Sequence, residues 1–181
     1  MITMGQVGLG HWGPNLLRNF MALPGSQVKI CCDVDEAARA RVEATYPGSK
    51  TTADYTRMLD DDEISAIVVS SPASLHYEQA RLAIERNKHV FVEKPIALDV
   101  SQAIELVRLA EEHHRVFMVG HLLLYHPAVR QLKDYVISGD LGQIHYVYSH
   151  RLNLGQVRRD ENAMWSLCLL YTSPSPRDFK Y

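Results

Sequence analysis

The run Gln6-Val7-Gly8-Leu9-Gly10-His11-Trp12-Gly13-Pro14-Asn15 constrains this chain more than any other stretch. Gly8, Gly10 and Gly13 fall in the G-x-G-x-x-G spacing, between a strand-like run at residues 2–7 and a helical pattern that follows. In that spacing the first glycine makes a tight turn, the second lets the backbone approach a pyrophosphate, and the third lets helix pack closely on strand. Backbone N–H groups at the helix N-terminus then face the phosphates. Pro14 suits the first helical turn, where a missing N–H is no loss. Leu16, Leu17, Phe20 and Leu23 recur at helical spacing and predict a buried face for a helix over 14–23.

Three glycines alone fit any turn. An acid about 20 residues on, at the tip of the second strand, narrows the choice, because it is placed to hold the ribose hydroxyls of a dinucleotide. Asp33 lies 20 residues after Gly13, at the end of the strand-like run 28–32. By itself such an aspartate also fits a turn cap; beside the glycines and the helix it predicts nucleotide binding. Neither Val34 nor Asp35 is basic, so a 2′-phosphate finds no obvious cation nearby, and NAD is expected rather than NADP.

Strand and helix patterns alternate through the first 120 residues, which predicts an α/β fold with a doubly wound parallel sheet. Asp35 is placed to cap a helix ending near Thr45, before Pro47-Gly48. A short strand at 50–52 and a short helix at 55–59 follow, and the acidic run 60–63 reads as a solvated loop. Residues 64–69 are almost continuously apolar, as in a strand buried on both faces. That strand delivers Ser70-Ser71-Pro72 to the C-terminal edge of the sheet, where open α/β sheets bind ligands. Ser74 is placed to cap a helix to about residue 86, with His76 in its first turn. The strand 89–92 delivers Glu93-Lys94-Pro95 to the same edge. Asp99, with Gln102 three residues on, is placed to cap a helix whose apolar positions Val100, Ala103, Ile104, Val107 and Ala110 keep helical spacing. A sixth strand is expected at 116–119.

After Gly120 the pattern changes, which divides the chain into a dinucleotide-binding domain at 1–120 and the start of a second, open-sheet α/β domain at 121–167. Pro127 opens a helix with Val129, Leu132 and Val136 on one face, and Gly139 ends it. Residues 144–152 alternate, with Tyr146 and Tyr148 on one side, and predict the first long strand of the second sheet.

Charge and cysteine use exclude several functions. A net charge of −2 without a long basic run lacks the footprint of a nucleic-acid binder. No apolar stretch is long enough for a membrane helix and no leader is visible, so no membrane partner and a cytoplasmic location are expected. Cys31 and Cys32 are adjacent on one strand, where a disulfide would be strained, and read as reduced core residues. The nine histidines are scattered, and His113-His114 has no ligands at metal spacing, so no metal is expected.

Lys94 ends a strand on the same edge as the glycine turn and should face the nicotinamide end of a dinucleotide. A lysine partly withdrawn from water there can exchange a proton with a substrate hydroxyl. Glu93 is placed to orient it or to touch the cofactor. As an isolated residue, a lysine at a strand end is more commonly a plain surface group; its edge position favours chemistry.

The segments Gly8–Asn15, Ser71-Pro72-Ala73-Ser74-Leu75-His76 and Glu93-Lys94-Pro95 resemble the three hallmark motifs of the Gfo/Idh/MocA oxidoreductases, in order and at the right spacing. The resemblance covers residues 2–167. It implies a Rossmann domain followed by an α/β domain with a large open sheet. It also implies that Gly8, Gly10, His11, Trp12 and Gly13 line the pyrophosphate and Asp33 holds the adenosine ribose. Ser71, Pro72 and His76 would flank the cofactor, Glu93 would lie near the nicotinamide ribose, and Lys94 would serve proton transfer and substrate contact. Within the family, Trp12-Gly13-Pro14-Asn15 and Arg151-Leu152-Asn153-Leu154-Gly155 resemble members that oxidise nucleotide-linked sugars, the UDP-N-acetylglucosamine or -glucosaminuronate 3-dehydrogenases. Arg151 and Asn153 would then touch the small-molecule substrate, and the full-length form would be a homo-oligomer. Other members acting on inositol or a free sugar, and a non-catalytic nucleotide sensor, are the competing expectations; Glu93-Lys94-Pro95 favours an enzyme.

Residues 168–181 depart from the family pattern, with Thr172-Ser173-Pro174-Ser175-Pro176 unable to continue the helix begun at 162–167. The string resembles a translated sequencing adapter. It is expected to be a non-native tail on a truncated chain, which as written should lack turnover.

Overall fold

A computed structural model describes residues 1–148. Contacts divide the chain into two compact units, Met1–Gly120 and a second beginning at His121. The first unit is built on a six-stranded sheet: β1 (Ile2–Val7), β2 (Ser26–Cys32), β3 (Lys50–Thr52), β4 (Ala66–Val69), β5 (His89–Val92) and β6 (Phe117–Val119). All pairs are parallel and the order is β3-β2-β1-β4-β5-β6. The order reverses between β1 and β4, which opens a crevice beyond their C-terminal ends.

Helices cover both faces: α1 (Gly13–Ala22), α2 (Glu36–Thr45), α3 (Tyr55–Leu59), α4 (Ala73–Glu85) and α5 (Val100–Glu112). Alternate residues of each strand serve opposite faces. Ile67 and Val69 join Met58, Ala80, Ile84 and Leu106 in one cluster, under α3, α4 and α5. Val68, between them, joins Leu16, Leu17, Ala38 and Val42 under α1 and α2. Phe20 meets Phe91 edge to face at 5.7 Å on that second side. Cys31 and Cys32 are buried free thiols, one in each cluster. Burial pushes their pKa up to about 12 and about 11, so both are protonated and inert at neutral pH.

Several expectations need correction. Leu23 falls beyond the end of α1 and is exposed rather than buried. Ser74 does not cap α4, which starts one residue earlier behind Pro72 and has no side-chain cap. On α5 the cap is as expected, with Asp99 accepting from the Ser101 N–H at 2.7 Å. The buried row is Leu106 and Ala110, while Val100 and Ile104 are 63% and 64% exposed. Two apolar rows lie side by side on this helix, and spacing alone cannot say which one turns inward.

The acidic run 60–63 is the expected solvated loop, and surface ion pairs hold it. Lys29 pairs with Asp61 at 2.7 Å and Glu63 at 2.8 Å. Arg86 pairs with Asp60, and the Lys88 ammonium donates to the Asp61 and Ile64 carbonyls. The run is held because the cations of β2 and of the α4–β5 turn stand opposite it.

In the second unit a 3-10 turn (Leu122–Tyr125) precedes α6 (Pro127–Ser138), which ends at Gly139. Val129 and Val136 are half-buried and Leu132 is exposed. Among the described residues, 144–148 form no strand, where one was expected. The remainder of that expected strand, Arg151, Asn153 and the tail 168–181 lie outside the described residues.

Candidate functional site

The C-terminal edge of the sheet collects the sequence motifs because every parallel strand ends there. β1 delivers the glycine turn, β2 Asp33, β4 Ser70-Ser71-Pro72 and β5 Glu93-Lys94-Pro95.

Gly8 has φ +91°, and a Cβ on it would stand 2.3 Å from the Ser71 nitrogen. Only glycine accepts both conditions. A Cβ on Gly13 would stand 2.2 Å from the Gly8 carbonyl oxygen, so the start of α1 folds tightly back on the turn. Around Gly10 a Cβ would meet nothing within 4 Å. Gly8 and Gly13 are buried, whereas Gly10, His11 and Trp12 face outward. The flank beside Gly10 is thus open backbone with no side chain on it.

The helices around this edge divide by their caps. Asp35, Asp54 and Asp99 cap α2, α3 and α5. α1 and α4, which flank the crevice, have no side-chain cap and no acid in the first turn. The Asn15 N–H turns back to the Trp12 carbonyl and the Leu75 N–H to the Pro72 carbonyl, so it is the positive end of each helix dipole, with no carboxylate beside it, that favours an anion there.

Asp33 accepts from the Leu9 N–H at 2.6 Å with one carboxylate oxygen and from the Asp35 N–H at 2.9 Å with the other. It therefore ties the glycine turn to the start of α2. Each oxygen keeps a second lone pair, so the carboxylate can still accept from ribose hydroxyls. One neighbour escaped the sequence reading. Arg39, one turn into α2, folds its guanidinium back to donate to the Asp33 carbonyl at 2.7 Å and the Val34 carbonyl at 3.1 Å. A cation therefore does stand at the tip of β2, contrary to the expectation drawn from Val34 and Asp35. The helical repeat that returns residue 39 to the N-terminal end of α2 is the signal that could have found it.

The strand ends are linked to one another. The Lys94 N–H donates to Glu93 Oε2 at 3.2 Å, Oε1 is buried without a partner, and the Trp12 indole stands near enough to this carboxylate to pull its pKa down. Burial raises the Glu93 pKa, against the opposing pull of the Lys94 N–H, the Trp12 indole and the Lys94 charge. Gly120 backs this carboxylate, since a Cβ there would lie 3.0 Å from Oε1. Lys94 is half-buried, and its peptide bond to Pro95 is cis.

His76 is 2% exposed. Its Nδ1 lies 2.7 Å from the Pro95 carbonyl oxygen and its Nε2 2.8 Å from the Ser71 carbonyl oxygen. The ring thus braces the loops after β4 and β5 against each other. Among the described residues no group of His, Cys, Asp and Glu is placed to hold a metal ion, and no helix is long and apolar enough to cross a membrane.

A parallel sheet with a glycine turn at its switch point, an uncapped helix behind it and an acid at the next strand tip defines a dinucleotide-binding Rossmann domain. The chain belongs to the Gfo/Idh/MocA family: residues 2–121 match the oxidoreductase family with an NAD-binding Rossmann fold. An uncharacterized oxidoreductase of Streptococcus pneumoniae is 28% identical over 91% of this chain and 44% of its own length. The scyllo-inositol dehydrogenase of Lactobacillus casei, solved with NAD(H) and scyllo-inositol, is 26% identical with a TM-score of 0.73, over 78% of this chain and 42% of that one. A 3-ketoreductase of Actinomadura kijaniata, solved with NADP and TDP-benzene, is 29% identical with a TM-score of 0.71, over 76% of this chain and 42% of that one. The chain thus spans less than half the length of these relatives.

Proposed function

We propose that this chain is the cofactor-binding part of an NAD-dependent sugar dehydrogenase. The observation that carries this is the convergence, at one sheet edge, of an open glycine cradle, two uncapped helix N-termini, Asp33 and the Glu93-Lys94 pair.

Gly8, Gly10, His11, Trp12 and Gly13 would hold the pyrophosphate and Asp33 the adenosine ribose. Ser71 and Pro72 would border the nicotinamide half, with His76 bracing them from below. Glu93 would sit at the nicotinamide ribose. A bound nicotinamide supplies the hydride acceptor. Lys94 would take the proton of the substrate hydroxyl, directly or through a partner in the longer protein, as the carbon beneath is oxidised. Asp33 favours NAD, because its carboxylate repels a 2′-phosphate; Arg39 works against that preference, and NADP binding is expected to be weaker rather than absent.

The substrate we favour is a UDP-linked N-acetylated sugar oxidised at C3. Support comes from the Trp12-Gly13-Pro14-Asn15 segment and from the TDP-benzene bound to the Actinomadura 3-ketoreductase. The solved inositol dehydrogenase supports the second reading, a polyol or free sugar. Residues 121–167 would begin the substrate domain, with Arg151 and Asn153 near the sugar. The test is NADH formation by the longer protein carrying this segment, with UDP-N-acetylglucosamine, UDP-N-acetylglucosaminuronate and inositol compared at equal concentration. Turnover of inositol alone would transfer the assignment to the second reading. No turnover of any, with tight NAD binding, would leave a nucleotide sensor.

A further inference from the structure

A glutamine sits where the parallel sheet calls for an apolar side chain. Gln6 lies in the middle strand of the sheet, next to the glycine turn, and is 0% exposed. Burying an amide is unfavourable unless its hydrogen bonds are made. The amide nitrogen donates to the Gly13 carbonyl at 2.8 Å, with the Gly8 carbonyl at 3.4 Å and the Ser70 hydroxyl at 3.3 Å. Both carbonyls can only accept, and that sets which end of the amide faces them. The Ser70 hydroxyl adds a second donor to the Gly8 carbonyl at 2.8 Å. The amide oxygen, by contrast, is buried without a partner. A side chain chosen for core stability alone would not leave that acceptor unmet.

We infer that Gln6 is a positioning residue for the pyrophosphate, acting through the glycine turn that it fastens at both ends. Gly8 and Gly13 bound the segment 9–12, of which Gly10, His11 and Trp12 face outward, and one amide grips the carbonyls of both. In a trans peptide the C=O and the following N–H point in opposite directions. Drawing the Gly8 carbonyl down toward Gln6 and Ser70 therefore aims the Leu9 N–H up, where Asp33 meets it at 2.6 Å. Gln6 from below and Asp33 from above thus set the path of the chain into Gly10. The cradle is shaped before a phosphate arrives, and the ordering entropy is not charged to binding.

The inference rests on the nucleotide-binding function proposed above, and two ligands separate the two. ADP carries the pyrophosphate; adenosine reaches Asp33 without it. In isothermal titration of the 181-residue chain, Gln6→Met should weaken ADP about tenfold, the scale of one lost hydrogen bond to a charged group. Adenosine affinity should stay within about twofold, and the melting temperature should barely move, since Met also removes the unmet amide oxygen. Ser70→Ala, a milder change, should weaken ADP about threefold with the same selectivity, and it decides the matter if Gln6→Met does not fold. Unchanged ADP affinity in the variant, or equal losses for ADP and adenosine, would overturn the positioning role. Failure of the unsubstituted chain to bind ADP would overturn the nucleotide site itself.

Discussion

The three glycines of the turn should respond to alanine in different ways, and the structure gives the sizes. At Gly10 a Cβ enters open space, and φ lies outside the left-handed region. Alanine there restricts only the unfolded chain, worth about 0.4–1 kcal/mol of added stability, or roughly 1–4 °C in melting temperature for a chain of this size. The same methyl would stand between the backbone and the phosphate proposed to lie there. Losing one charge-assisted hydrogen bond is worth about 1.5–3 kcal/mol, so the NADH dissociation constant should rise about ten- to 150-fold. At Gly13 the Cβ lies 2.2 Å from the Gly8 oxygen, a position backbone must yield to create. Overpacking of that kind costs about 1–3 kcal/mol, and here the yielding carbonyl is held by Gln6 and Ser70. Gly13→Ala should therefore lower the melting temperature by roughly 2–12 °C and weaken NADH as well. Circular dichroism melts and NADH titration of both variants make the comparison. A Gly10→Ala chain that binds NADH within twofold of the original, or that melts as early as Gly13→Ala, would refute the assignment of the open flank to the phosphates.

Three further outcomes are expected. Lys94→Ala in the longer protein should lower turnover by roughly 10² or more while leaving NAD affinity nearly unchanged, measured by steady-state kinetics and titration; near-normal turnover would remove Lys94 from the chemistry. Arg39→Ala should weaken NADP several-fold more than NAD, because it removes a cation beside Asp33 and Val34; equal losses would show that Arg39 only braces the loop. Burial raises the Glu93 pKa above its ordinary 4.5, so the folded chain favours the protonated form and ionisation becomes an increasing penalty as pH rises through the folded-state value. Glu93→Gln should then melt higher than the original chain at pH 7, with the gap closing below about pH 4; a gap independent of pH would contradict the burial of this carboxyl.

Much of this protein was legible in the amino-acid order because it depends on near neighbours. The caps at Asp35 and Asp99 lie two residues from the N–H groups they accept. The G-x-G-x-x-G turn is bounded by the strand and helix that adjoin it, and alternation of strand with helix leaves a parallel sheet as the way to bury both. Collecting Asp33, Ser71 and Glu93-Lys94 at one edge then follows from strand direction alone.

What only the tertiary structure decided depends on residues distant in the chain. The inward row of α5 was chosen by α4 and the sheet, which take Leu106 and Ala110 and leave Ile104 in water. The acidic run 60–63 is held by Lys29, Arg86 and Lys88, three cations that no local pattern pairs with it. Gln6 looked like part of a strand until Gly13 and Ser70 closed over it, and His76 became a brace only when Ser71 and Pro95 were brought to its two nitrogens. Periodicity and caps report interactions within about a helical turn, whereas these contacts follow from how the ends of β1, β2, β4 and β5 are brought side by side in the sheet.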